Sequence, residues 1–129
     1  MASLTNEQAE LFEKPNFGHV GTIRADGTPH VTPVWVDYDG ERVVFNTAVG
    51  RAKYKNLQRD PRVTIEVTDH ENPYQYVMVS GRAELEESDE ADRHIDKLAK
   101  KYMGVDEYPN RAPGERRVLV RVTPERISP

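Results

Sequence analysis

Apolar and polar residues alternate in short blocks along most of this chain, and turn dipeptides separate the blocks. Val63, Ile65 and Val67 alternate with Thr64, Glu66 and Thr68, the period-two pattern of a strand with one buried face. Val77, Val79, Gly81, Ala83 and Leu85 mark one side of a longer strand from Gln75 to Leu85. Val118, Val120 and Val122 mark one side of a last strand from Arg116 to Thr123. Upstream, Asp26-Gly27 and Asp39-Gly40 are two-residue hairpin signals. They divide Phe17–Ala25, Pro29–Tyr38 and Glu41–Thr47 into a three-stranded meander. Pro33 has no backbone donor, so the middle strand must be an edge or carry a bulge at that point.

A helical period appears three times. Thr5-Asn6-Glu7-Gln8 has the form of a capping box, and predicts a helix to about Lys14 that Pro15-Asn16 ends. A basic segment, Arg51 to Asp60, reads as a short helix stopped by Pro61. Ser88 caps the third. Asp89, Glu90 and Asp92 fall in its first turn and Lys97, Lys100 and Lys101 near its end, as the helix dipole favours. Ala91, Ile95, Leu98 and Tyr102 share one face, and Gly104 is the stop. Most of the connections are too short for parallel crossovers, so most strands should be antiparallel. The expectation is a mainly β (α+β) domain covering residues 1–129: six antiparallel strands closed into a barrel to remove free edges, with short flanking helices.

Composition narrows the function. No strictly apolar run exceeds that of Tyr76-Val77-Met78-Val79, far short of the roughly 20 residues of a membrane-spanning helix. The N-terminus is polar, without the apolar core of a secretory signal. The chain has no cysteine, which excludes disulfides, thiolate nucleophiles and thiolate metal sites and suits a cytoplasmic protein. A net charge of −4 argues against a nucleic-acid binder. The charge is segregated, however: acidic residues crowd 84–96, while basic ones crowd 51–62 and 111–126. Such basic stretches are either solvated faces or the frame of an anion site.

Catalytic constellations are nearly absent. The four histidines show no metal-ligand spacing, and there is neither a Gly-x-Ser-x-Gly elbow nor a phosphate-binding loop of the Walker type. Reactivity, if any, comes from a bound cofactor. Two stretches could hold one. In Asn46–Leu57 a strand ends in Thr47, a small-residue turn with Gly50 follows, and a helix opens with Arg51 and Lys53. Helix-start amides, a guanidinium fork and an ammonium suit a phosphate; a plain amphipathic helix with solvated lysines fits as well. In His30–Val36, Pro33 leaves backbone groups free beside the only tryptophan, Trp35. A planar heterocycle could use them, or Trp35 is a core residue on a bulged strand.

Four motifs occur in order: Asp26-Gly27-Thr28-Pro29-His30-Val31-Thr32-Pro33-Val34-Trp35; Thr47-x-x-Gly50-Arg51-x-Lys53-x-x-Asn56-Leu57-x-x-Asp60-Pro61-Arg62; Val79-x-Gly81-Arg82-Ala83-Glu84; and Arg117-Val118-Leu119-Val120-Arg121-Val122-x-Pro124-Glu125-Arg126-Ile127. Over roughly residues 10–128 the chain resembles the pyridoxamine 5′-phosphate oxidase-like proteins, with an FMN-binding type of split barrel. Within them it is most similar to the small oxidoreductases that use the deazaflavin coenzyme F420.

The resemblance implies a homodimer with the cofactor at the subunit interface. Thr32, Pro33 and Val34 would line the ring through backbone contacts. Thr47, Gly50, Arg51 and Lys53 would bind the phosphate with Asn56 nearby, and Tyr74, Gln75 or Tyr76 of the second subunit would close the site. It implies hydride transfer between coenzyme F420 and a small unsaturated or quinone-like substrate, with no metal and no identified catalytic side chain. The C-terminal arginine-containing substrate motif of true pyridoxamine phosphate oxidases is missing. An FMN-dependent oxidoreductase and a non-catalytic cofactor-binding protein are the alternatives. A nucleic-acid-binding barrel is remote, since only Tyr54 interrupts the basic segment.

Overall fold

The elements follow in the order α1 (Asn6–Glu13), β1 (Gly18–Ile23), β2 (Pro29–Val34), β3 (Val36–Tyr38), β4 (Val43–Ala48), α2 (Ala52–Arg59), β5 (Arg62–Thr68), β6 (Tyr76–Glu86), α3 (Asp89–Met103) and β7 (Arg117–Ser128). They are taken from a computed structural model that describes residues 2–129. The strands form one antiparallel sheet in the order β2-β1-β5-β6-β7-β4-β3. β2 and β3 lie at opposite edges, yet only Trp35 separates them in sequence. The chain therefore steps from one edge of the sheet to the other within one residue, and that step closes the sheet into a split barrel.

The barrel interior is aliphatic. Val20, Val36, Val43, Phe45, Ile65, Val67, Val77, Val79, Val118, Val120 and Val122 fill it, with Phe12 of α1 and Leu57 of α2 packed against its ends. The alternation read from β5, β6 and β7 places these side chains as expected. In β4 every residue is buried. One face looks into the barrel, and the other lies under α3, where Val44 packs with Ala91 and Leu119. A strand buried on both faces loses the alternation signal.

Two boundaries differ from expectation. The segment Pro29–Tyr38 is two strands, so the sheet has seven rather than six. Pro33 supplies no ladder donor and β2 is indeed an edge. Past it, the backbone turns at Trp35 and pairs Val36 with Phe45 of β4. The last strand runs on to Ser128 because a bulge opposite Ser80 and Gly81 absorbs Glu125, between the paired Pro124 and Arg126. A Cβ on Gly81 would sit 2.0 Å from the Thr123 carbonyl oxygen, so only glycine admits this approach.

The split is held from α3. The Tyr102 hydroxyl accepts the Val36 N–H (3.0 Å) and donates to the Asn16 carbonyl (2.6 Å). The Lys101 ammonium donates to the Val36 carbonyl (2.6 Å) and to the Phe12 carbonyl at the end of α1. Burial pushes Lys101 down to about 8, which leaves it charged at neutral pH, and pushes Tyr102 up to about 12. Asn16 is itself buried. Its side-chain amide donates to the Leu11 carbonyl (3.0 Å) and accepts the His70 N–H (2.9 Å), tying α1 to the β5–β6 turn.

Two substitutions test this architecture. Val120→Asp places an unpaired carboxylate in the barrel interior and should abolish cooperative unfolding. A soluble variant with a normal melting transition would show the face of β7 to be misassigned. Tyr102→Phe leaves the Val36 N–H and the Asn16 carbonyl without partners. It should cost about 1–3 kcal/mol in urea unfolding, and an unchanged midpoint would remove the clamp.

Candidate functional site

A cleft of ≈ 240 Å³ opens where the split meets α3. Pro33, Val34 and Trp35 form one wall, and Ile95 and Leu98 of α3 form another. Arg51 and Lys53 stand at the start of α2. Asn46 and Arg117 come from the outer faces of β4 and β7, and Phe17, Tyr108 and Asn110 complete the rim.

Gly50 makes the turn that delivers α2 to this cleft. Its φ of +92° is a left-handed conformation that glycine adopts without strain. No side chain caps the helix that follows, so its first amides remain open to an anion. Lys53, Asn56 and Arg59 recur every three residues and so share a face. All three bond to the β1–β2 hairpin. Lys53 Nζ donates to Thr32 Oγ1 (2.9 Å), Asn56 Nδ2 to Thr22 Oγ1 (3.0 Å), and Arg59 to the Ile23 carbonyl. Burial, with Arg51 nearby, lowers the Lys53 pKa.

A line of polar contacts runs through the floor. Arg51 pairs with Glu115 (3.8 Å), and Glu115 with the buried Arg117 (2.9 Å). Arg117 Nε donates to Asn46 Oδ1 (2.8 Å). Asn46 Nδ2 donates to the Ala91 carbonyl (2.9 Å) and lies 3.3 Å from His94 Nδ1. On the far side, His94 Nε2 stands 3.6 Å and Lys97 Nζ 3.2 Å from Asp37 Oδ2. Burial alone would raise the Asp37 carboxyl, but the His94 ring, the Tyr38 N–H and Lys97 outweigh it and hold that carboxyl well below the usual carboxylate range.

Aromatic rings frame the other end. Trp35 stacks on Tyr102 (5.3 Å between centroids) and meets Tyr108 edge-on (6.0 Å), while the Arg117 guanidinium covers Tyr108 (5.3 Å). The segment between α3 and β7 that carries Tyr108 is fastened to α3. Asp96 accepts the Tyr108 N–H (2.9 Å) and Arg111 (2.7 Å), and Asp92 accepts Arg111 (3.2 Å).

The structure brings Pro33, Val34, Arg51 and Lys53 together on the cleft, with Thr32 joined through Lys53 and Gly50 one residue from Arg51. Thr47 and Asn56 sit elsewhere. Thr47 lies on the barrel side of β4 with Val43 and Phe45, buried, its hydroxyl without a hydrogen-bond partner among the described residues. Asn56 is buried against Thr22. Sequence reasoning did not single out Asn46, Tyr108, Asn110 or Arg117 as ligands. The available signal was an arginine out of phase with Val118, Val120 and Val122 at the head of a strand.

The arrangement sets three cations, Arg51, Lys53 and Arg117, with one carboxylate, Glu115, beside flat apolar walls and a proline-interrupted backbone edge. That combination suits a ligand with an anionic tail and a planar head.

Comparison with known proteins agrees with this architecture. The structure of an F420 reductase superposes with a TM-score of 0.83 at 34% identity, covering 97% of this chain and 98% of that one. A conserved hypothetical protein, Rv2991 of Mycobacterium tuberculosis, gives 0.76 at 27% identity, over 98% and 84% of the two chains. HupZ of Group A Streptococcus shares the fold, at 0.70 and 21% identity over 96% and 91%. The family profile for pyridoxamine 5′-phosphate oxidase matches residues 4–129, and by that match the chain belongs to the pyridoxamine 5′-phosphate oxidase family.

Proposed function

We propose that this protein is an oxidoreductase of the flavin-binding split-barrel kind that uses the deazaflavin coenzyme F420 to reduce a small unsaturated or quinone-like substrate. The family match and the F420 reductase neighbour support the class and the coenzyme. The observation that carries the reading is the cleft itself, which joins Arg51, Lys53 and Arg117 with the Pro33 edge and apolar walls. Arg51 and Lys53, beside the uncapped start of α2, would hold the anionic tail. The backbone of Thr32, Pro33 and Val34 would meet the polar rim of the ring, and Trp35 its apolar surface.

Bound there, the coenzyme supplies a hydride. The chain's task is then geometric: to hold donor and acceptor about 3–3.5 Å apart. Trp35, Ile95 and Leu98 keep water from the reacting face. No side chain of the cleft acts as nucleophile in this scheme.

A second copy of the chain completes the site. The cleft is smaller than the roughly 300–1,000 Å³ of ligand pockets and open on one side. The outer face of the β1–β2–β5–β6 sheet carries Val31 at 62% exposure, together with Met78 and Tyr76, an apolar surface of the kind that pairs. Tyr74, 89% exposed, stands clear of its own cleft and is free to reach another. We place this dimer in the cytoplasm, in keeping with the absence of cysteine. No helix among the described residues is long and apolar enough to cross a membrane.

Titration of the purified protein with F420 and with FMN, followed by ligand fluorescence, should give micromolar F420 binding. Binding of FMN alone would replace this reading with an FMN-dependent one. Tight binding with no reduction of any quinone, nitro or enone acceptor would make the protein a cofactor carrier. Lys53→Ala should weaken cofactor binding by about 1.5–3 kcal/mol, the scale of a hydrogen bond to a charged group. The variant should stay folded, because Asn56 and Arg59 still fasten α2. Unchanged affinity would displace the tail from Lys53. Sedimentation should show a dimer that Val31→Glu dissociates.

A further inference from the structure

The orientation of the Asn46 amide is dictated by its neighbours. Arg117 Nε can only donate, so it faces the amide oxygen (2.8 Å). The Ala91 carbonyl can only accept, so it faces the amide nitrogen (2.9 Å). That nitrogen also points at His94 Nδ1 (3.3 Å), which must therefore present its lone pair. The ring proton is then on Nε2, directed at Asp37 from 3.6 Å. This nitrogen is buried with no hydrogen-bond partner among the described residues. Asn46 thus fixes the His94 tautomer, with the Asp37 carboxylate on the protonated side of the ring.

We propose that His94 and Asn46 are positioning residues for Arg117 in the cleft, and that a second proton on His94 weakens the Asn46 hold on Arg117 and leaves its head group on Glu115 alone. A proton on Nδ1 would bring an N–H against the Asn46 amide hydrogens. Turning the amide relieves that clash only by setting its hydrogens against Arg117 Nε and its oxygen against the Ala91 carbonyl. Moving the imidazolium toward Asp37 instead leaves the amide with one partner fewer. The first route breaks the Asn46 bond to Arg117 and the second removes one support of the amide that makes it, and the cover over Tyr108 shifts with that bond. The other charges close to the pair do not offset the effect. Asp37 of β3 favours the added proton, and Lys97 of α3 is already committed to Asp37. Arg117 of β7 is bound to Glu115. Farther along β7, Arg121 is neutralised by Glu86 of β6. The consequence is an anion-binding cleft that weakens on acidification. Its bearing on cofactor binding rests on the function proposed above; the switch itself does not.

Trp35 reports the switch without any ligand, because it is the only tryptophan and meets Tyr108 edge-on. Its emission should be followed from pH 7 to 5, within the histidine range and below that of Lys101, in the wild type, His94→Gln and Asn46→Asp. The wild type should show one transition that His94→Gln lacks, although His19, His30 and His70 remain. Asn46→Asp places a carboxylate against His94 Nδ1 and should move the midpoint up by about one unit or more. A wild-type trace that is flat, or that superimposes on that of His94→Gln, overturns the proposal. So does an Asn46→Asp midpoint that stays put or falls, and this variant decides alone if His94→Gln does not fold. In parallel, F420 and FMN affinities at pH 7.5 and 5.5 should fall at least about threefold more for the wild type than for His94→Gln. If neither coenzyme binds, the proposed function fails while the Trp35 trace still decides the switch.

Discussion

The fold depends on satisfying the Val36 peptide groups where the barrel is split. A chain that leaves one sheet edge and joins the opposite one within a residue must strand backbone donors and acceptors at the step, and buried groups of that kind are expensive to leave unpaired. Here the last full turn of α3 supplies the partners: the Tyr102 hydroxyl for the N–H, and the Lys101 ammonium for the carbonyl. The same two side chains also take the Asn16 and Phe12 carbonyls at the end of α1. One point of contact thus joins α1, α3 and both sheet edges.

The cleft exists because of that junction. Trp35, at the step itself, is fixed by stacking on Tyr102, and α3 is docked so that Ile95 and Leu98 face it. α2 arrives from the other direction, off the Gly50 turn, and is pinned to β1–β2 by Lys53, Asn56 and Arg59. Lys53, which the sequence offers as a ligand donor, thus also has a mechanical duty. Arg59 bonds the hairpin and Asn56, while Lys53 both fastens the helix and faces the cleft.

Much of this was legible in the residues. The Thr5–Gln8 capping box, the Ser88 cap and the Gly104 stop appear as read, and so do the inward valines of β5, β6 and β7. What escaped was what depends on tertiary partners. Nothing local distinguishes Trp35 as a break, since β-formers stand on both sides; the step is decided by β4 and α3. Thr47 and Asn56 have the composition of anion ligands, yet they face inward because strand phase and helix docking turn them there. Spacing does not encode that choice. Arg117 and Tyr108 escaped for a similar reason: they become neighbours of Lys53 only after α3 brings the following segment back across the barrel.

That returning segment is attached in an economical way. Asp92 and Asp96 of α3 hold Arg111 and the Tyr108 amide through their carboxylates, and none of these bonds belongs to the barrel's strand ladder. Residues 105–114 can therefore be lengthened, shortened or rewritten, reshaping the rim of the cleft, while the sheet beneath it is inherited intact.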